Sequence, residues 1–116
     1  MWVMTTDGFF SAVQHRDEPN ILLIRARSRA DLENLADRIG LDESKIVVDT
    51  KADYLFRVFV PRQAWITYLT SASEDLDYPN FKSAVGATNP ERAYLYHDVW
   101  HTLLQIEDEQ AVTTAR

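Results

Sequence analysis

Two sets of residues in this chain have types and spacing suited to chemistry. The first is a group of arginines on segments that read as strands. Side chains two apart on a strand share a face. On segment 21–27 this sets Ile21, Leu23, Arg25 and Arg27 opposite Leu22, Ile24 and Ala26. On segment 54–60 it sets Leu55, Arg57 and Phe59 opposite Tyr54, Phe56 and Val58. If the two strands are neighbours, Arg25, Arg27 and Arg57 line one side of the sheet with Leu55 and Phe59. His15, or its neighbours Gln14 and Arg16, joins from the preceding strand. Guanidinium groups beside aromatic rings bind phosphate, carboxylate or a stacked base. The competing reading is that the arginines pair with acids of a covering helix or keep an outer sheet face soluble. The stretch Tyr54-Leu55-Phe56-Arg57-Val58-Phe59-Val60 lacks the glycines of an RNA-recognition signature, which counts against the RNA version.

The second set is the connector Asp77-Tyr78-Pro79-Asn80-Phe81-Lys82, which gathers two aromatics, an amide and a cation in a loop. Loops on a rigid scaffold are where binding groups concentrate. The architectural alternative has Phe81 filling the core while Asp77 and Asn80 cap short turns. Taken together, His15, Arg25, Arg27, Tyr54, Arg57, Tyr78, Asn80 and Lys82 are the ligand-binding candidates, for an anionic small molecule.

Other chemistry finds less support. His97-Asp98-Val99-Trp100-His101 places two histidines at i and i+4 on one helix face, near the His-Glu-x-x-His pattern of zinc proteases. An aspartate stands where the glutamate base belongs, and only Glu107 or Asp108 is at hand as a third ligand. His97 and His101 are therefore the nearest approach to a metal site, and no metal or cofactor is expected. Ser11, Ser28, Ser71, Ser73 and Ser83 have no Gly-x-Ser-x-Gly context and read as caps, turns or surface hydroxyls. Three glycines leave no phosphate loop or dinucleotide fingerprint, and no catalytic residue is assigned.

The elements that must position these residues follow from pattern and punctuation. Trp2–Thr5 and Phe9–Arg16 flank Thr6-Asp7-Gly8, a hairpin signal, and a turn at Glu18-Pro19-Asn20 leads to a third strand over 21–27. Ser28 with Asp31 three residues on suggests a capping box. Leu32, Leu35, Ala36 and Ile39 form an apolar helical stripe, and Gly40 supplies a left-handed C-cap. Strands over 46–49 and 54–60 follow, and then a helix begun by Pro61 with Trp65, Tyr68, Leu69 and Ala72 on its buried side. A short turn ends at Gly86, and Asn89-Pro90-Glu91 opens a last helix whose apolar side is Tyr96, Val99, Trp100, Leu103 and Ile106.

The order β-β-β-α-β-β-α-α contains a split βαβ unit without its closing strand. The expected fold is α+β: an antiparallel sheet of four to five strands, ferredoxin-like with an N-terminal β-hairpin. Its helices lie mainly on one face, and a long helix ends the chain. The preceding strand of the hairpin takes the vacant edge. Residues 1–110 are expected to form a single domain, with 111–116 a frayed tail.

With 116 residues, 46% hydrophobic and 26% charged, the composition is that of one ordinary globular domain. The absence of cysteine excludes disulfides and thiolate chemistry. Neither a signal peptide nor a membrane span is expected, so the expected location is cytoplasmic. The net charge of −6 argues against direct nucleic-acid binding, which requires a basic surface.

Gly8-Phe9-Phe10-Ser11-Ala12-Val13-Gln14-His15, Arg25-Ala26-Arg27, Ala52-Asp53-Tyr54 with Arg57, and the 77–82 connector together resemble a family of short, uncharacterised bacterial proteins. The resemblance extends to about Trp100 and carries no established activity, cofactor or catalytic residue. By elimination, the expected function is a small cytoplasmic, non-enzymatic binding or regulatory module. It would act through protein–protein contact or self-association as a homodimer, without a membrane. One alternative is a phage or mobile-element inhibitor that uses acidity to occupy a basic groove on a host nucleic-acid enzyme. Another is a small enzyme or binding domain for an anionic small molecule.

Overall fold

Thr6 and Asp7 alone separate two runs of strand-forming residues, so β1 (Trp2–Thr5) and β2 (Gly8–Gln14) close into a tight antiparallel hairpin in which Thr5 faces Gly8. The computed structural model describes residues 1–109. Continuing along the chain are β3 (Ile21–Ala26), α1 (Arg29–Ile39), a 3₁₀ turn (Glu43–Lys45), β4 (Val47–Val48), β5 (Phe56–Pro61), α2 (Arg62–Glu74), α3 (Phe81–Gly86) and α4 (Pro90–Leu103). They divide into two compact units, Met1–Asp77 and a second beginning at Tyr78. The expected tail over 111–116 lies outside the described residues.

In the first unit the sheet order is β1-β2-β3-β5-β4, with every pairing antiparallel. The chain leaves β3, forms α1, makes the far edge strand β4 and returns between the two as β5. This is the split βαβ arrangement, with β2 in the place of the closing strand and β1 outside it. The architecture is the expected α+β sheet with a hairpin added at its N-terminal edge.

The pleat sends Phe10 and Ala12 of β2, Leu22, Ile24 and Ala26 of β3, and Val58 and Val60 of β5 to one face. Leu32 and Leu35 of α1 and Trp65 and Tyr68 of α2 close over them as the core. Phe10 meets Trp65 and Tyr68 edge-on at 6.1 and 5.8 Å. Each large side chain so buried contributes about 1.5–3 kcal/mol.

Several local expectations are corrected. Ser28 precedes α1 but its side chain makes no capping bond; Asp31 instead turns to the sheet and accepts from Phe9 N at 3.0 Å. The contact works because residue 8 is glycine. Its φ of +154° suits glycine, and a Cβ there would lie 2.5 Å from Asp31 Cβ. β4 is cut to two residues at both ends. Ile46 N donates back to Glu43 O to close a 3₁₀ turn over 43–45, which Asp42 caps by accepting from Ser44 N, and Asp49 opens the next turn by accepting from Lys51 N. Pro61 ends β5 and serves as N-cap of α2 rather than as its first residue.

A polar cluster ties the hairpin turn to both helices. Tyr68 Oη lies 2.7 Å from Thr5 Oγ1 and donates to Asp7 Oδ2 at 2.8 Å. Arg38 donates from Nε to Asp7 Oδ2 at 3.1 Å and from Nη1 to Asp75 Oδ2 at 2.6 Å. Burial, followed by the bond to Asp7, pushes the Tyr68 hydroxyl well above its ordinary pKa of 10.0.

In the second unit, Asn80 caps α3 by accepting from Ser83 N, and Asn89 caps α4 by accepting from Arg92 N, with Pro90 in the first turn. Phe81 and Tyr96 stack at 5.6 Å to join the two helices. A turn at Leu104 interrupts α4, and the backbone is helical again over 105–109. No helix among the described residues is long and apolar enough to cross a membrane.

Candidate functional site

The sheet face opposite the core carries the arginines. Strand registers align one row of residues across all five strands: Trp2, Ser11, Arg25, Arg57 and Val47. The next row is Val13, Leu23 and Phe59. Two residues along a strand span about 6.8 Å, so a polar, cationic row runs beside an apolar one at that spacing.

Arg25 and Arg57 face each other directly, and like charges in that position repel. Arg25 donates from Nη2 to Ser11 Oγ at 2.8 Å, and Arg27 donates from Nη1 to the Asp53 carbonyl at 2.9 Å. The guanidinium carbons of Arg25 and Arg27 lie 4.7 and 4.5 Å from the centre of the Tyr54 ring, a cation–π geometry at a nearly fully buried aromatic. Arg25 Nε and Arg57 Nε are shielded from solvent and meet no acceptor. Among the described residues, none of these three arginines forms an ion pair, whereas Arg29 and Arg38 do.

Tyr54 corrects the expected alternation. The strand begins only at Phe56, and residues 52–55 bend, so Tyr54 does not sit with Phe56 and Val58. Its ring comes instead to the arginines, 6.5 Å from Phe9. Ser11, expected as a cap, turn or surface hydroxyl, is buried and accepts from Arg25. Its period-two relation to Phe9 and Val13 was visible in the sequence, but its register with Arg25 was not.

His15 follows β2. Its Nδ1 accepts from Asp17 N and Glu18 N at 3.0 and 3.1 Å, which orders the β2–β3 turn. The ring sits 5.1 Å from that of Phe59, which is itself exposed. His15 thus borders the apolar row rather than the arginine row.

The remaining candidates belong to the second unit. Tyr78 packs against Phe81 at 6.0 Å, and Asn80 is occupied as the α3 cap. Lys82 Nζ lies 3.1 Å from His97 Nδ1 and 4.2 Å from the Trp100 ring centre. Asn80, Lys82, Ser83, Pro90, Tyr94 and His97 border an open groove of about 560 Å³. The eight candidate residues therefore form two groups, five on the sheet unit and three on the helical unit. No set of three or more histidine or acidic side chains able to hold a metal ion occurs among the described residues.

The apolar side expected for α4 is mostly uncovered. Tyr96 is buried, but Leu95, Val99, Leu103 and Ile106 are 60%, 37%, 54% and 59% exposed, and Trp100 is exposed too. The sequence pattern identified an apolar stripe but not whether the chain itself covers it.

No family model matches the chain, no curated protein matches it, and no solved structure matches it.

Proposed function

We propose that this chain is a small binding module that acts through protein–protein contact, by pairing α4 with α4 of a second copy. The observation that carries the reading is the exposed stripe Leu95, Val99, Leu103 and Ile106. At about 100° per residue Leu95, Val99 and Leu103 fall within roughly 80° of the α4 circumference, the width of a helix-packing seam, and Ile106 follows just past the turn at Leu104.

The spacing favours a second copy as the occupant. A twofold contact must be self-complementary. An antiparallel pair of α4 helices centred near His101 sets Leu95 opposite Ile106 and Val99 opposite Leu103. It also brings the Arg92 end of one copy toward the Glu107-Asp108-Glu109 end of the other. A parallel pair would set those three acids against their own copies, which costs energy. A two-helix contact is smaller than the ~800 Å² per partner of a standard interface, so the dimer should be reversible. A cysteine-free module of this kind suits the reducing cytoplasm.

Light scattering across a concentration series tests this. The expected result is a monomer–dimer equilibrium that Leu103→Asp abolishes while the circular dichroism spectrum is retained. A wild-type chain that stays monomeric at millimolar concentration, or a Leu103→Asp chain that dimerises as well as wild type, overturns the reading.

A further inference from the structure

The arginine row poses a separate electrostatic problem. In a chain of net charge −6, Arg25 and Arg57 stand directly opposite one another, with Arg27 joined to Arg25 through the Tyr54 ring. None has a carboxylate partner among the described residues, and two Nε donors are shielded without an acceptor. Clustered cations that are not neutralised internally cost stability, and buried donors without acceptors cost more. A bound anion on the open face would offset the repulsion between the facing cations. Guanidinium N–H groups suit a tetrahedral oxyanion, because a phosphate can accept from both arginines at once.

The neighbouring row suggests what the anion is attached to. Phe59 is more than half exposed beside Arg57, with Leu23 and Val13 continuing the apolar floor and the His15 ring at its side. An aromatic platform about 6.8 Å from a phosphate-binding row fits a molecule with a phosphate at one end and a flat ring at the other. We infer that the open sheet face binds a nucleoside monophosphate, with its phosphate between Arg25 and Arg57 and its base stacked on Phe59. Tyr54 acts as the backing plate: cation–π contact with its ring holds the Arg25 and Arg27 guanidiniums toward the open face. This site is independent of α4 pairing, and either can fail without the other.

Isothermal titration of the full chain with AMP, UMP, ribose 5-phosphate and inorganic phosphate tests the assignment. Both nucleotides should bind, and about tenfold more tightly than ribose 5-phosphate or phosphate, the scale of one base–aromatic stack. Phe59→Ala should bring AMP down to the affinity of ribose 5-phosphate. Arg57→Met should weaken AMP at least tenfold and, by removing the facing like charge, leave the melting temperature of the ligand-free chain equal to wild type or higher. That second readout separates a lost site from a lost fold. The proposal is overturned if no probe gives a saturable signal at millimolar concentration, or if phosphate binds as well as AMP. Unchanged AMP affinity in Arg57→Met, or a lower melting temperature for that variant without ligand, would also overturn it.

Discussion

Replacing Gly8 by alanine should destabilise the sheet unit severely, although the change adds only a methyl group. The backbone there has φ +154°, a region that glycine enters freely and that costs other residues about 1–3 kcal/mol. The added Cβ would also lie 2.5 Å from Asp31 Cβ and 2.8 Å from Asp31 Oδ1, far inside van der Waals contact. Asp31 cannot simply swing away, because it is buried and accepts from Phe9 N. Overpacking of this kind costs about 1–3 kcal/mol more. The sum, about 2–6 kcal/mol, is a large part of the 5–15 kcal/mol typical of a whole domain. Urea unfolding followed by circular dichroism measures it directly. The Asp31→Ala chain is the control: it loses the bond from Phe9 N and should cost about 1–3 kcal/mol. The double variant removes the overlap but keeps the strained backbone. Its cost should therefore fall short of the sum of the single costs by about 1–3 kcal/mol. A Gly8→Ala chain within about 0.5 kcal/mol of wild type, or simple additivity in the double variant, would refute the reasoning.

Three further outcomes follow from the polar contacts. Tyr68→Phe removes the hydroxyl that joins Thr5 to Asp7 and should cost about 1–2 kcal/mol in the same unfolding assay. Because the folded state raises the Tyr68 pKa, the unfolded chain releases that proton first. The associated stability is complete below pH 10 and declines as pH rises above it, so wild type should lose stability more steeply there than Tyr68→Phe. Equal slopes would refute the assignment. Asn89→Ala removes the acceptor for Arg92 N at the start of α4 and should cost about 1 kcal/mol of that helix, read as lost helical ellipticity with earlier thermal melting. An unchanged melt would mean that the cap contributes nothing.

Much of the fold was legible because its signals are local. Thr6-Asp7 between apolar runs made a hairpin, Gly40 ended α1, and Asn89-Pro90 began α4 where expected. Period-two alternation grouped Arg25 with Leu23 and Arg57 with Phe59, and put both arginines on one face only if the two strands were neighbours, which they are. Exceptions arose where a long-range contact outweighed a local preference. Asp31 sits in a capping-box position, yet a backbone N–H of β2 claims its carboxylate. Tyr54 would follow the alternation of β5, but two guanidiniums and a bend in the chain take its ring to the other side.

By itself, then, the sequence determined the type and order of the elements and, within a regular strand or helix, which side chains share a face, though not where β4 and β5 begin and end. Those are properties of backbone period and of single residues such as Gly40 and Pro90. Only the tertiary structure decided that Arg25 meets Arg57 across the sheet with Ser11 and Tyr54 beside it, and that α4 keeps an apolar stripe exposed. Register and burial depend on partners distant in the chain. A row of facing arginines beside an apolar floor therefore exists only once three strands have been aligned.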